Sequence, residues 1–280
     1  MAAESHMSFD DYRSAEGLNA STIKNFVVSA RHGVEAMGDN SPPSAVMRLG
    51  TAVHARCELG DDFDRYAVEV EGIKPGSQRE TWVKKSTDLE TDQIPLAEGQ
   101  RIVVEKIHDA MMAHPVAGKQ LRKPHESELS VFWDDPDLKV PGKARFDRWL
   151  TRTGCVLDIK TTESTQPKKI RSKVSDYGYH IQAAWYLRAA RYGLGCETPE
   201  FLFVFVESTP PHDVVIAPLA PEAIEQGWAE CCEAAMKWKR WRDTGEAVGV
   251  SDTPMTIELP TWAQIRGMAA PYELLGGSNE

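Results

Sequence analysis

No stretch of this 280-residue chain approaches the roughly 20 consecutive apolar residues that a membrane-spanning helix needs. Nor does it open on a basic segment followed by an apolar one, the pattern of a secretory leader. A cytoplasmic protein with no membrane partner is expected. Its five cysteines, Cys57, Cys155, Cys196, Cys231 and Cys232, are odd in number and include an adjacent pair. They offer neither a disulfide framework, nor the paired spacing of a structural zinc site, nor the four spaced thiolates of an iron–sulfur cluster. Buried, inert thiols are what remains. Internal repeats, heptads and low-complexity tracts are missing too, which excludes solenoids, coiled coils and a largely disordered chain. Net positive charge is also absent. With 32 Lys and Arg against 42 Asp and Glu the formal charge is −10, the wrong sign for binding phosphate through total charge.

What is present is ordinary globular composition, 41% hydrophobic and 26% charged, at a length suited to one large domain with appendages. We expect a tail over residues 1–18, in which 1–7 resemble a leftover of cloning, a single domain over 19–245 and an extension over 246–280. The charge is unevenly spread. Between Lys139 and Arg191 stand twelve basic residues and four acidic ones, a local net of +8 that leaves −18 on the rest. A basic segment inside an acidic protein suits a channel for nucleic acid, and it equally suits a solvated charged face.

Asn19 or Ser21 can cap a helix that runs through Ile23, Phe26 and Val27 toward Gly33. Pro42 and Pro43 break the chain, after which residues 44–59 carry Val46, Leu49, Val53 and Cys57 at helical spacing, with His54 on the same helix. Residues 66–70 alternate like a strand. Residues 71–93 are polar without a period and read as a long loop or mobile insertion, followed by a helix over about 96–114. Segments 127–133, 143–150 and 155–160 read as three strands of a meander, separated by turn-rich stretches that include Pro141-Gly142 and Thr153-Gly154. A helix over 177–192, strands over 201–207 and 213–217, and a long helix over 221–244 complete the reading. The expected class is α/β of mixed α+β character, a central mixed β-sheet flanked by helices.

Asp158-Ile159-Lys160 ends an apolar strand, and residues two apart on a strand face the same way, so the carboxylate and the ammonium project together. Asp147 lies eleven residues earlier in the preceding strand, and a tight turn at Thr153-Gly154 brings the two strands side by side. Two carboxylates and a lysine then converge. Hydrolysis of a phosphodiester requires that set: hard oxygen ligands for Mg²⁺, and a cation to stabilise charge or orient water. Alone, an acid and a lysine two apart make an ordinary surface ion pair. Here Val156-Leu157 precede them, and Phe146 and Trp149 flank Asp147, so the strands enter a core where ionised groups are costly unless they bind metal or one another.

Five spaced motifs give the sequence a family resemblance. They are Leu49-Gly50-Thr51-Ala52-Val53-His54, Glu128-Leu129-Ser130, Gly142-Lys143-Ala144-Arg145-Phe146-Asp147, Val156-Leu157-Asp158-Ile159-Lys160-Thr161-Thr162 and Tyr179-His180-Ile181-Gln182-Ala183-Ala184-Trp185-Tyr186. In this order they resemble the RecE-type branch of the lambda-exonuclease-like recombination nucleases of phages and prophages, over roughly residues 19 to 245. The resemblance implies a restriction-endonuclease-like PD-(D/E)xK core. It implies that Asp147 and Asp158 bind metal, that Lys160 positions the attacking water, and that His54 and the Ile159 carbonyl lie at the metal. Glu128 matches the family's additional acid, with Glu126 the competing choice on the same strand. Gln182 and Tyr186, i and i+4 on one helix face, would reach the DNA or the water network. Arg145, and the loop residues Lys168, Lys169, Arg171 and Lys173, are expected at the DNA backbone. The proline of the PD pair is missing, since Phe146 precedes Asp147.

By the same resemblance the activity is Mg²⁺-dependent 5′-to-3′ digestion of linear double-stranded DNA, with Mn²⁺ as an alternative and two ions per site. It leaves 3′ tails for a single-strand-annealing protein of RecT or Red-beta type, and the enzyme is a trimeric or tetrameric ring in the bacterial cytoplasm. Two rivals share the fold: an endonuclease of restriction or repair type, and a non-catalytic DNA-binding protein.

Overall fold

The computed structural model describes residues 3–4, 7–39, 41, 43–86, 89 and 93–259, and arranges them as a mixed sheet between two helical layers. The N-terminal part carries β1 (Ala3–Glu4), α1 (Phe9–Ser14), α2 (Ala20–Val28), α3 (Ala30–Gly38) and α4 (Ala45–Leu59). Next come α5 (Phe63–Tyr66), β2 (Ala67–Glu69), α6 (Arg79–Lys85), β3 (Ile94–Leu96), α7 (Gln100–Ala113) and α8 (Ala117–Leu121). The meander β4 (Glu126–Asp134), β5 (Pro141–Leu150) and β6 (Cys155–Thr162) follows, then α9 (Pro167–Asp176) and α10 (Tyr179–Arg188). The last elements are β7 (Glu200–Glu207), β8 (Val214–Ala217) and α11 (Pro221–Thr244).

The main sheet has the order β1-β4-β5-β6-β7-β8. Neighbours are antiparallel except β6 and β7, which run parallel because α9 and α10 carry the chain back across one face. Helices cover both faces, which explains why β6 reads as a continuous apolar run. Val156 packs with Phe146, Phe203 and Trp185 in the layer under α2, α10 and α11. Leu157 and Ile159 pack with Val53, Ile107 and Met111 in the layer under α4 and α7.

Several elements differ from their expected form, each for a local reason. The helix expected through Gly33 is two helices, because Ser29 is extended (φ −168°, ψ 164°) and its hydroxyl caps the second by accepting from the His32 amide. Asn19, of the two candidate caps, is the one that accepts from the Thr22 amide, at 2.9 Å. Residues 71–93 are not one long loop: α6 lies within them and buries Trp82 against Val70, Ile73 and Ala97. Leu96 belongs to β3, which pairs with β2, and α7 begins only after Gly99 in the left-handed region. The basic segment 168–173 is helical, as α9. The helix expected over 177–192 starts after Gly178 (φ 58°) and ends in a π-helical turn, Ala189–Gly193. Ala3 and Glu4, set aside as tail, pair with Val131 and Ser130. Pro42 and residues 260–280 lie outside the described residues.

The helical layer over the site tolerates no extra bulk where α11 crosses α10. A Cβ at Gly227 would stand 2.3 Å from the His180 carbonyl oxygen, which is backbone and cannot swing aside. Gly227→Ala is expected to cost about 1–3 kcal/mol of stability, the usual penalty of overpacking. Thermal denaturation checks it, and an unchanged melting temperature would contradict the close approach.

Candidate active site

The site forms where the sheet comes apart. β5 and β6 pair over only three positions, Leu150 with Cys155, Trp149 with Val156 and Arg148 with Leu157, whereas β6 pairs with β7 along its whole length. Beyond Arg148 the two strands separate. The Ile159 amide donates instead to the Asp147 carboxylate, Oδ2, at 3.0 Å. The pleat is also interrupted on the other side of β5. Glu128, between the pairs Ser127–Arg148 and Leu129–Phe146, has φ 50°, in the left-handed region that costs a non-glycine residue about 1–3 kcal/mol. Leu129 and Phe146 enter one core layer, while Arg148 donates to the carbonyls of Leu121 and Cys57 on the other face.

This irregularity gathers His54, Glu128 and Asp147, whose donor atoms lie within 4.8 Å of one another. His54 arrives from α4, Glu128 from β4 and Asp147 from β5. His54 Nε2 is 2.9 Å from the Ile159 carbonyl oxygen and Nδ1 is 3.4 Å from Asp147 Oδ2. Burial opposes charging the imidazole, but the Asp147 carboxylate overrides it and holds His54 up at about 9. Asp147 is correspondingly held below the ordinary carboxylate range, since His54 and Lys160 outweigh its burial. Burial, reinforced by Asp147, raises the Glu128 carboxyl against the pull of Arg145. Arg145 Nε pairs with Glu128 at 2.7 Å, and its Nη1 donates to Ser130 Oγ and the Met7 carbonyl. Glu126, the competing acid, is exposed and stands outside this group.

Asp158 is fully buried and is not part of that trio among the described residues. Its Oδ1 accepts from Gln182 Nε2 at 2.6 Å and its Oδ2 lies 2.5 Å from Lys160 Nζ, the same-face pair that strand geometry requires. Burial pushes the Asp158 carboxyl up, with Lys160 opposing, and the Asp158 and Asp147 charges keep Lys160 protonated. Tyr186, one turn beyond Gln182, packs its ring on Phe146 at 5.2 Å, and burial raises its hydroxyl well above the ordinary value. The first and second acids of the motif thus sit on opposite sides of Ile159, one bound to its amide and the other preceding it.

Of the basic residues expected at DNA, Lys168, Lys169 and Arg171 are exposed on α9 and Lys173 is half-buried. The buried Ile170 anchors this helix, and none of the four is in an ion pair among the described residues. Other members of the basic window serve the fold. Lys143 binds the carbonyls of Tyr12, Arg13 and Ala15 at the end of α1, and Arg188 pairs with Asp135 and Asp137. Sequence reasoning missed Lys24 of α2, whose Nζ is 3.4 Å from Gln182 Oε1. A lone lysine on an amphipathic helix carries no signal that it faces inward.

The sequence profile described as "PDDEXK-like domain of unknown function (DUF3799)" matches residues 19–251. The chain belongs to this family. Its fold is that of the PD-(D/E)xK nucleases, a mixed sheet flanked by helices. A candidate exonuclease from Eubacterium rectale is similar in structure, with a TM-score of 0.62 at 15% identity over 95% of this chain and 98% of that one. A phage-related exonuclease from Haemophilus somnus aligns at a TM-score of 0.38 and 12% identity, over 82% of this chain and 97% of that one. No curated protein matches. PD-(D/E)xK nucleases generally work with divalent metal, and the donors here suit one: two carboxylates and an imidazole converging from three separate elements.

The raised His54 has a consequence for protein stripped of divalent ions. A group whose folded pKa exceeds its ordinary 6.5 contributes stability that is full below 6.5 and lost as pH rises through about 9. The stability difference between wild type and His54→Asn should therefore shrink across that window, by at most about 3 kcal/mol. Melting curves in EDTA from pH 6 to pH 9.5 check it, and a pH-independent difference would count against the pairing with Asp147.

Proposed function

We propose that the protein is a divalent-metal-dependent exodeoxyribonuclease that digests linear double-stranded DNA from the 5′ end, leaving 3′ single-stranded tails for a single-strand-annealing protein of RecT or Red-beta type. The observation that carries the reading is the convergence of His54, Glu128 and Asp147 beside the Asp158–Lys160 pair, at the parted strands of a PD-(D/E)xK sheet. In this reading Asp147, Glu128, His54, Asp158 and the Ile159 carbonyl would hold Mg²⁺ or Mn²⁺, hard cations suited to oxygen ligands, with two ions per site. Bound there, the metal would supply Lewis acidity toward the scissile phosphate.

The chain's own groups do the rest. Lys160 places a positive charge beside the reacting phosphate and holds the attacking water, and Asp158 fixes its ammonium at 2.5 Å. Gln182 fixes Asp158 in turn through its 2.6 Å hydrogen bond. Arg145 keeps Glu128 in its strained backbone position. Tyr186 closes the apolar wall behind Gln182, and Lys168, Lys169, Arg171 and Lys173 present α9 to the DNA backbone. A trimeric or tetrameric ring acting in the bacterial cytoplasm, with a phage or prophage origin, completes the proposal.

End-labelled linear duplex and covalently closed circular duplex in Mg²⁺ form the test. Loss of the linear substrate with the circle intact is expected, and cleavage of the circle would replace the exonuclease reading with an endonuclease. Lys160→Ala should lower the rate by roughly 10²–10³-fold while DNA binding survives. A variant with near wild-type rate would remove Lys160 from the machinery.

A further inference from the structure

A second lysine reaches the Asp158 network from a different element. Lys24 lies on α2, half-buried, with Nζ 3.4 Å from Gln182 Oε1, the same side chain whose nitrogen donates to Asp158. Its Nζ also stands 5.3 Å from the centroid of the Tyr179 ring, and Lys160 Nζ stands at the same distance from that ring. Two ammonium groups therefore share one aromatic ring and one amide–carboxylate pair. They differ in what balances them. Lys160 has Asp158 at 2.5 Å, whereas no carboxylate lies within 4.0 Å of Lys24 among the described residues.

The path of the Lys24 side chain is also constrained. Gly178, at the start of α10, has φ 58°, and a Cβ there would stand 3.1 Å and 3.3 Å from Cγ and Cδ of Lys24. A glycine thus leaves room for the stem to pass toward Gln182. Burial, with repulsion from Lys160 that outweighs the attraction of the more distant Asp158, pulls the Lys24 ammonium down to about 8. A guided, half-buried cation beside another cation and without a carboxylate is a cost to the folded protein, and an anion arriving between the two would remove it.

We propose that Lys24 is a phosphate-binding residue, its ammonium taking a non-bridging oxygen of the DNA phosphate held beside Lys160. This rests on the nuclease reading above. Lysine suits the role as a point charge on a long stem, and the Tyr179 ring supports both ammonium groups when they are desolvated.

Lys24→Met keeps the stem and removes the charge, and Lys24→Arg keeps the charge. Because it deletes a half-buried cation with no carboxylate in ion-pair distance among the described residues, Lys24→Met should melt no lower than wild type, so weaker binding would not reflect unfolding. Binding of labelled duplex is followed by fluorescence anisotropy in EDTA over a series of salt concentrations, with 5′-phosphate and 5′-hydroxyl ends. For Lys24→Met we expect affinity about tenfold lower or worse, and a slope of log affinity against log salt smaller by about 0.9, the loss of one phosphate contact. Lys24→Arg should bind within a few-fold of wild type. Weakening confined to the 5′-phosphorylated duplex identifies a terminal phosphate, and equal weakening on both an internal one. Unchanged affinity and slope on both duplexes, from a wild type that cleaves DNA in Mg²⁺, would overturn the assignment. A wild type that neither binds nor cleaves DNA would overturn the nuclease reading and this one with it.

Discussion

One hydrogen bond organises the site: the Ile159 amide donating to Asp147 Oδ2 at 3.0 Å, one step past the last β5–β6 pair. When two strands part, their backbone donors need new partners, because a buried orphan amide costs about as much as a lost hydrogen bond. Asp147 supplies the partner and is itself fixed by it. The parting also frees the Ile159 carbonyl toward α4, where His54 Nε2 meets it at 2.9 Å. Had the ladder continued, Asp147 would face Asp158 directly across the pair and His54 would find no opening between the strands.

The two aspartates are separated electrically as well as in space. Asp147 has an imidazolium against it and stays ionised, whereas Asp158 is buried with a lysine and an amide and is harder to ionise. Neighbouring carboxylates with ionisation pushed apart can carry different tasks in one reaction. The backbone strain at Glu128 belongs to the same arrangement. Glu128 stays on the face of Ser130, opposite Leu129, and its left-handed φ falls at the position across from Asp147, where the two join His54. That strain is offset by Arg145, which ties the Glu128 carboxylate to Ser130 and to the chain at Met7.

The period-two pattern made β4, β5 and β6 readable as a meander, and the i, i+2 rule placed Lys160 against Asp158. The family motifs pointed to His54, Glu128 and Gln182, which do gather near the aspartates. What stayed hidden was of another kind. Nothing in Glu126-Ser127-Glu128 announces the positive φ of Glu128, since such a conformation at glutamate has no local signature and is imposed by its neighbours. Trp82 alone could not mark α6 as a packed helix within a polar stretch, because its partners Val70, Ile73 and Ala97 come from flanking segments. Lys24 was invisible for the same reason: its meaning lies in Gln182 and Tyr179, far away in the chain.

Charge counting shows how far a linear reading can carry. The basic window between Lys139 and Arg191 suggested a DNA channel, yet Lys143 and Arg148 are buried on backbone carbonyls, and Arg145 and Arg188 are bound to carboxylates. Cations already committed inside the fold add little field outside it, because their partners cancel them at short range. Among the described residues, the cations left without a carboxylate or backbone partner include the α9 residues, which follow β6 in the chain, and Lys24, which lies outside the window altogether and whose proposed phosphate contact adds to them. If the proposed phosphate contacts hold, an acidic chain would recognise a polyanion with few cations, those left without carboxylate partners, while the surrounding acidic surface would disfavour binding elsewhere.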